Sequence, residues 1–518
     1  MQKSSPLVRH ALLMMVGTCV SRVLGLAREV ITAAFFGASA QLDAFNVAYT
    51  LANLARQLLA EGALSAAFVP VFSRAENRAR ALSLAGQAMV VLMFASLCVT
   101  VLGIVFAPFL TMIIAPGFDA ELSVLATRLT RWMFPFLFFI SLAALAMGTL
   151  NSLGSFFFPA LAPAFSNLTF IISAPLFVSQ WGVLGLTFSV LSGGFAHFAT
   201  QWLWGRHIGA TLVPRRPDFS DPDLRQMMAL FLPYAAGLSL NQLNPIISRM
   251  LGSFLEEGSI SVLNYANRVI QLPLGLFVIA ISQAVLPQLS RAKDMEEFRA
   301  TIGEALRFAL FIVLPATFGM MIISEEFTHI VFVRGAFGEA AWKATSWALF
   351  LSLMGLPGMA CSTVVMRGLY ALSMPKEAFL TTLFSVASTA VLSGVLMFPL
   401  GYGGLALAPS VAFSLSGLLG LFFINKKIKR DKSNPESAVA EPLISLKWII
   451  KSVFAVALMS AALFFYRASA PYNPSHSLMV RILWCLCAMF AGGSAYIAAT
   501  LGLGFDEWRW IRGAILKK

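Results

Sequence analysis

Between Ser21 and Glu61 the chain sets Arg22, Arg28, Glu29, Asp43, Asn46, Asn53, Arg56, Gln57 and Glu61 into two otherwise apolar stretches. An arginine fork binds phosphate or carboxylate through paired N–H donors, and a carboxylate answers as acceptor. In hydrocarbon each such charge costs roughly 2.5–3.5 kcal/mol on insertion scales, so these groups must meet one another or a wet cavity. At 100° per residue, Asp43, Asn46, Asn53, Gln57 and Glu61 fall within an arc of about 80°, with Arg56 about 60° beyond it. A second stripe, Asn264, Asn267, Arg268 and Gln271, follows i, i+3, i+4, i+7 spacing on one helix face. Arg249 stands alone in another apolar stretch.

Two chemistries fit. The first is internal pairing, Arg28 or Arg56 with Asp43 or Glu61, as buried glue between helices. The second is an anion site. Arg22, Arg28, Arg56, Arg249 and Arg268 outnumber Glu29, Asp43 and Glu61, and surplus positive charge in a low-dielectric cleft calls for an anionic ligand. Other charges say less: Arg307, Arg367 and Lys451 lie where they can snorkel to a membrane surface. His197 and His207 lack metal-ligand neighbours, and Asp119 and Glu121 read as solvated loop carboxylates. No metal site or cofactor is expected.

The elements carrying these residues are membrane spans. The chain is 58% hydrophobic and 12% charged, about half the charge of a soluble domain. Fourteen apolar segments of spanning length can be drawn: 11–36, 43–70, 85–114, 129–150, 159–179, 183–204, 227–255, 261–287, 300–325, 343–370, 378–400, 404–424, 447–466 and 479–502. Each approaches or exceeds the roughly 20 residues a spanning helix needs, which predicts an all-α polytopic membrane protein. With the N-terminus inside, cytoplasmic segments carry 23 of the 37 Lys and Arg and outer loops carry six. That asymmetry puts both termini in the cytoplasm. The net charge of +13 is therefore a topology signal, and nucleic acid is not an expected partner. The five cysteines sit in apolar segments as small hydrophobes. The N-terminus lacks a cleavable signal pattern.

The chain also repeats itself. SRVLG at Ser21–Gly25 returns as SRMLG at Ser248–Gly252, and FVPVFSR at Phe68–Arg74 as VLPQLSR at Val285–Arg291. GVLGLTFSV at Gly182–Val190 returns as GGLALAPSV at Gly403–Val411. Near-constant offsets mark one duplicated unit of six spans. An even number makes the copies parallel, an arrangement from which transporters build a central cavity. The expected domains are an N-lobe (1–226, spans 1–6), a C-lobe (227–435, spans 7–12) and an appended pair of spans (436–518). Prolines inside spans, such as Pro70, Pro135, Pro273 and Pro357, either supply bends for alternating access or are merely tolerated by packing.

The run SRVLGLARE…DAFNVAYTLANLARQLLAEGALSAAFVP closely resembles the lipid II flippases (MurJ, also called MviN) of the multidrug/oligosaccharidyl-lipid/polysaccharide exporter superfamily. The resemblance extends over the whole chain, including the span count and the C-terminal pair. It implies movement of lipid-linked peptidoglycan precursor, an undecaprenyl pyrophosphate carrying a disaccharide-pentapeptide, from the cytoplasmic to the periplasmic leaflet of a bacterial inner membrane. By motif, Arg22 and Arg28 match essential arginines of the first span. Asp43, Arg56 and Glu61 match functional charges of the second, and Arg268 matches the cavity arginine of the eighth. Spans 13 and 14 resemble the pair that forms a lipid-tail groove. Glu29 stands where the family often has Asp, Gln57 where a second arginine often follows, and Gln271 where some members have a carboxylate.

Some members bind sodium through carboxylates of spans 7 and 11. Here 227–255 and 378–400 contain no Asp or Glu, so membrane potential is the expected driver.

The expected substrate-binding set is thus Arg22, Arg28, Arg56, Arg268, Asp43, Glu61, Asn53, Asn267, Gln271, Arg249 and Glu29. Arginines would meet pyrophosphate, with Asp43 and Glu61 as their resting partners. Membrane lipids are expected partners, and cell-wall synthesis machinery a further one. A drug antiporter or another polyprenyl-oligosaccharide flippase is the nearest rival. An antiporter would favour intramembrane acids and aromatics. A membrane enzyme using polyprenyl-linked sugars would need a catalytic carboxylate cluster, for which Asp119 and Glu121 are the only material.

Overall fold

The computed structural model describes residues 6–57, 62–239, 242–430 and 442–516, and among them every regular element is a helix. The chain divides into two compact units, Met1–Ser261 and Val262–Lys518.

In the first unit α1 (Pro6–Phe36) turns at Gly37 into α2 (Ala40–Arg56), then α3 (Gly62–Ser73), α4 (Arg78–Val105), α5 (Ala107–Ile114) and α6 (Ala120–Met133) follow. They continue as α7 (Phe136–Ser152), α8 (Phe157–Trp181), α9 (Val183–His207), α10 (Pro222–Ser239) and α11 (Leu243–Gly252). Residues 227–252, placed by the repeat at the start of the second copy, cluster with this unit. Leu64, Phe68 and Phe72 of α3, Leu84 and Leu92 of α4 and Leu145 of α7 form one buried core, which Met227 of α10 joins.

The division between units falls inside α12 (Ser259–Pro273). Pro273 has no N–H to give its preceding turn, and a π-turn, Leu274–Val278, follows before α13 (Ile279–Leu289). The second unit continues with α14 (Met295–Ile322), α15 (Ser324–Phe332), α16 (Glu339–Leu353), α17 (Leu356–Ala371), α18 (Pro375–Leu400) and α19 (Tyr402–Arg430). Last come α20 (Leu446–Ser469), α21 (Leu478–Gly502) and α22 (Glu507–Leu516). The α20–α21 pair joins the body through Phe311 of α14, whose carbonyl accepts from the Tyr496 hydroxyl at 2.8 Å. Its remaining surface is apolar and open, with Phe465, Met479 and Phe490 each at least 75% exposed.

The duplication is visible in backbone detail. Gly182 joins α8 to α9 at φ +55, and Gly401 joins α18 to α19 at φ +54. A few residues on, a Cβ at Gly185 would collide with the Phe177 carbonyl, and one at Gly404 with that of Leu396. Both hairpins close so tightly that only glycine fits.

Among the described residues nine helices are long and apolar enough to cross a bilayer. A tenth arises if α16 and α17, bent by 41°, form one span. These coincide with ten of the fourteen expected segments. The other four are α1, α2–α3, α10–α11 and α12–α13. Every expected site residue that is described lies on those four. Their charges lower their hydropathy, and α12–α13 is interrupted by the π-turn.

Candidate functional site

The site in the first unit is built on α1, α2, α8 and α11. Arg28 and Glu29 are adjacent on α1, and Arg28 Nη2 donates to Glu29 Oε1 at 2.8 Å. The Arg28 guanidinium also lies over two rings, 5.5 Å from the centroid of Tyr49 on α2 and 5.6 Å from that of Phe170 on α8. Such contacts hold a desolvated cation by its flat faces and leave its in-plane donors aimed elsewhere. Arg249 on α11 is buried and feels the charges of Asp43 and Glu29. Arg22 is half-buried on α1; one turn beyond it, Gly25 sits beside the Asn167 amide of α8, 3.5 Å from a Cβ built there. Close packing of α1 on α8 thus fixes the height of the arginines.

Asp43 is 3% exposed and, among the described residues, accepts from Gly258 and Ser261 rather than from an arginine. Oδ2 accepts from the Gly258 N–H at 2.8 Å, and Oδ1 accepts from the Ser261 N–H at 2.7 Å and its hydroxyl at 2.5 Å. Asn46, one turn along α2, donates to the same hydroxyl at 3.1 Å. Four N–H groups at the start of a helix lack intrahelical partners. A carboxylate among them is held by charge-assisted bonds and by the helix dipole, which explains why Asp43 serves the first turn of α12. Tight packing supports this clasp. A Cβ at Gly258 would lie 2.5 Å from the Ala38 carbonyl oxygen, and one at Gly117 would lie 2.5 Å from that of Ser253.

At the other end of α2, Arg56 Nε donates to Asn53 Oδ1 at 2.8 Å. Its charge also reaches His197 on α9. The expected pairing of Arg56 with Glu61 falls outside the described residues, because Glu61 is not among them.

The second unit contributes Asn267, Arg268 and Gln271 on α12. Arg268 Nη1 donates to Gln271 Oε1 at 3.3 Å, and Asn267 and Gln271 are exposed.

The structure therefore brings Arg28, Glu29, Asp43 and Arg249 into one electrostatic neighbourhood. Arg56 and Asn53 lie farther along α2, and Arg268 and Gln271 belong to the other unit. Sequence reasoning missed Tyr49, Phe170 and Ser261. A signal for Ser261 existed: Gly258-Ser259-Ile260-Ser261 reads as a helix start, and a helix start in an apolar surrounding needs an acceptor.

The repeated, charge-bearing helices define the broad class, a polytopic helical membrane protein. The fold is similar to that of an inward-facing multidrug-resistance MATE family transporter of the MOP superfamily, at a TM-score of 0.69, 17% identity, and coverage of 83% of this chain and 100% of the other.

Within that class, the family model described as lipid II flippase MurJ matches residues 32–483, and the chain belongs to that family. It is 34% identical over 411 residues to a probable lipid II flippase MurJ of Rhizobium tropici, covering 76% of each chain. It is 32% identical over 424 residues to the lipid II flippase MurJ of Burkholderia cenocepacia, covering 79% of this chain and 82% of the other. A solved structure described as lipid II flippase MurJ in an inward closed conformation superposes with a TM-score of 0.78 at 26% identity, covering 94% of this chain and 98% of that one.

Proposed function

We propose that this chain is a lipid II flippase, carrying the lipid-linked peptidoglycan precursor from the cytoplasmic to the periplasmic leaflet of the bacterial inner membrane. Both termini would lie in the cytoplasm. The observation that carries the reading is the charge balance around α1, α2 and α11. Arg28 and Arg249 meet the charges of Glu29 and Asp43, and the Asp43 oxygens accept from neutral donors. Over the whole set, Arg22, Arg28, Arg56, Arg249 and Arg268 outnumber Glu29, Asp43 and Glu61, and that excess suits a pyrophosphate. Asn53, Asn267 and Gln271 supply amides for sugar and peptide. Glu61 completes the expected set.

The movement is alternating access between lobes drawn from the repeat, 1–226 and 227–435. With this topology the Asp43 clasp lies at the periplasmic end of α2 and closes that end. Its release would precede outward opening. Membrane potential is the proposed driver, because moving charge across the bilayer is worth about 2.3 kcal/mol per elementary charge per 100 mV. The helix pair of residues 436–518, with its open apolar surface, supplies a groove for the polyprenyl tail. Membrane lipids and the cell-wall synthesis machinery complete the proposed partners.

A leaflet-accessibility assay for lipid II in cells dependent on this protein tests the reading. Arg28→Ala is expected to remove translocation while membrane insertion persists; full translocation by that variant rejects the site. Chemically unchanged precursor after transport separates a flippase from a membrane enzyme.

A further inference from the structure

The second unit holds a polar cluster that the proposed transport path does not use. It joins α15, the short helix after α14, to the loop between α20 and α21. His329 of α15 is 6% exposed, and its ring packs edge-to-face on Trp342 of α16 at 4.9 Å between centroids. Its Nδ1 lies 2.7 Å from the Tyr472 hydroxyl and 3.1 Å from Arg481 Nη1. A guanidinium nitrogen carries only donors. Nδ1 must therefore accept, which places the proton on Nε2 and makes the ring neutral.

A protonated ring would turn an N–H toward the Arg481 cation and lose that bond, while the Tyr472 hydroxyl would have to reverse from donor to acceptor. The charged and titratable groups around His329 can be named from each neighbouring element. Glu325 and Glu326 share α15, Arg334 follows it, and Lys343 lies on α16. Arg467 ends α20, Tyr472 and His476 occupy the loop and Arg481 sits in the first turn of α21. Glu326 is engaged by Arg467 Nη2 at 2.7 Å. Lys343 bonds Glu339 at 2.6 Å. Arg334 donates to the Ile330 carbonyl at 2.7 Å. Arg481 makes no salt bridge to a described carboxylate.

We infer that His329, Tyr472 and Arg481 form a proton-sensitive latch that holds the α20–α21 pair to α15 when His329 is neutral and releases it on acidification. Burial and the nearby Arg481 charge both push the His329 pKa below its ordinary value of 6.5. The sign follows: the latch is fully present above the ordinary value and is lost as pH falls through the lowered one. Solvent reaches the edge of the cluster, since Tyr472 and Arg481 are only half-buried. The inference leans on the proposed topology only for which compartment supplies the acid. That compartment is the periplasm, whose pH follows the exterior.

Hydrogen–deuterium exchange of the full-length protein in detergent tests it, because both faces then see the same buffer. Peptides covering 324–333 and 470–481 are followed from pH 7.5 to 5, with rates corrected for intrinsic exchange and referred to α18. Below the lowered pKa the charged ring prevails, and linkage caps the rise in opening at the factor by which the released and latched rings differ in proton affinity, so a rise of at least about threefold in exchange is expected for both peptides. His329→Gln is neutral throughout and Arg481→Gln removes the opposing charge, so each should show less than about a twofold rise, as exchange then reports only local opening. A flat response in the unaltered protein overturns the latch. So does a full response in His329→Gln, which would assign the effect to Glu326. The readout contains no transport step, so failure here leaves the flippase reading intact.

Discussion

The two copies that the repeats mark share a glycine-turned helix hairpin and differ in what they do with charge. The glycine turns at 182 and 401 have φ values within a degree of each other, yet the helices bearing polar stripes have diverged. On α2 the stripe is buried and tied: Asp43 and Asn46 are below 10% exposed and bond to residues 258–261. On α12 the stripe contains no carboxylate and stays open, with Arg268 leaning on Gln271 of its own helix. The α2 stripe is tied by buried bonds to the start of α12, whereas Arg268 bonds along its own helix. Constraint on a charged residue here comes from what it meets.

The largest separation between the halves should come from Arg28 and Arg268. Arg28→Ala takes from buried Glu29 its 2.8 Å partner and leaves it the Arg249 charge, so a loss of about 3 kcal/mol, at the low end for a broken buried pair, is expected. Arg268→Ala removes a contact near the surface of its helix and should cost below about 1 kcal/mol. Thermal unfolding in detergent measures both. The double variant Arg28→Gln/Glu29→Gln should recover most of the stability and none of the translocation. Equal losses for Arg28→Ala and Arg268→Ala would erase the distinction.

Next in size is Asp43→Asn, which turns an acceptor-only group into one that must present two N–H donors to a cradle of donors. A loss of about 1–3 kcal/mol is expected from mismatched buried groups. Faster labelling of a cysteine placed at Ser259 would show the clasp opening. Gly182→Ala and Gly401→Ala test the shared part. A Cβ at either position would meet no atom within 4 Å, so each should lose only the cost of a glycine-type backbone, about 1–3 kcal/mol, and the two losses should match.

The smallest effect is at the surface. Arg80 bonds Asp221 at 2.7 Å and Asp223 at 3.2 Å, pinning residues 208–223 against α4 together with Arg78 and Gln87. Arg80→Ala should cost below about 1 kcal/mol. Although burial opposes it, the bonding from Arg80 and the Asp223 N–H holds the Asp221 carboxyl below its ordinary value. The contribution is therefore present above that ordinary value and lost as pH falls through the lowered one, which a pH series of melting temperatures checks.

Much of this is readable in the chain. Apolar length and charge asymmetry point to a polytopic helical protein, and three short repeats point to its duplication. The charges that single out α1, α2 and α12 do so because hydrocarbon makes each one expensive. Partners are not readable at the same level. Asp43 finds its donors 215 and more positions away, and they are mostly backbone groups, which carry no residue signature. Tyr49 and Phe170 look like ordinary apolar-segment aromatics until folding sets them against Arg28. His329 has no metal-ligand spacing around it, and its neighbours Tyr472 and Arg481 lie more than 140 residues later.

The π-turn at Leu274–Val278 changes how the second unit should be mapped. A π-turn takes in one residue more than an α-turn, so the screw of the helix slips by about 100° as it passes from α12 into α13. Residues counted forward from Arg268 in steps of three and four keep their face only as far as Pro273. A scan that extends the Arg268 face into 279–289 by uniform counting would mutate the wrong side of α13, whereas one that skips a single position at the turn stays on it.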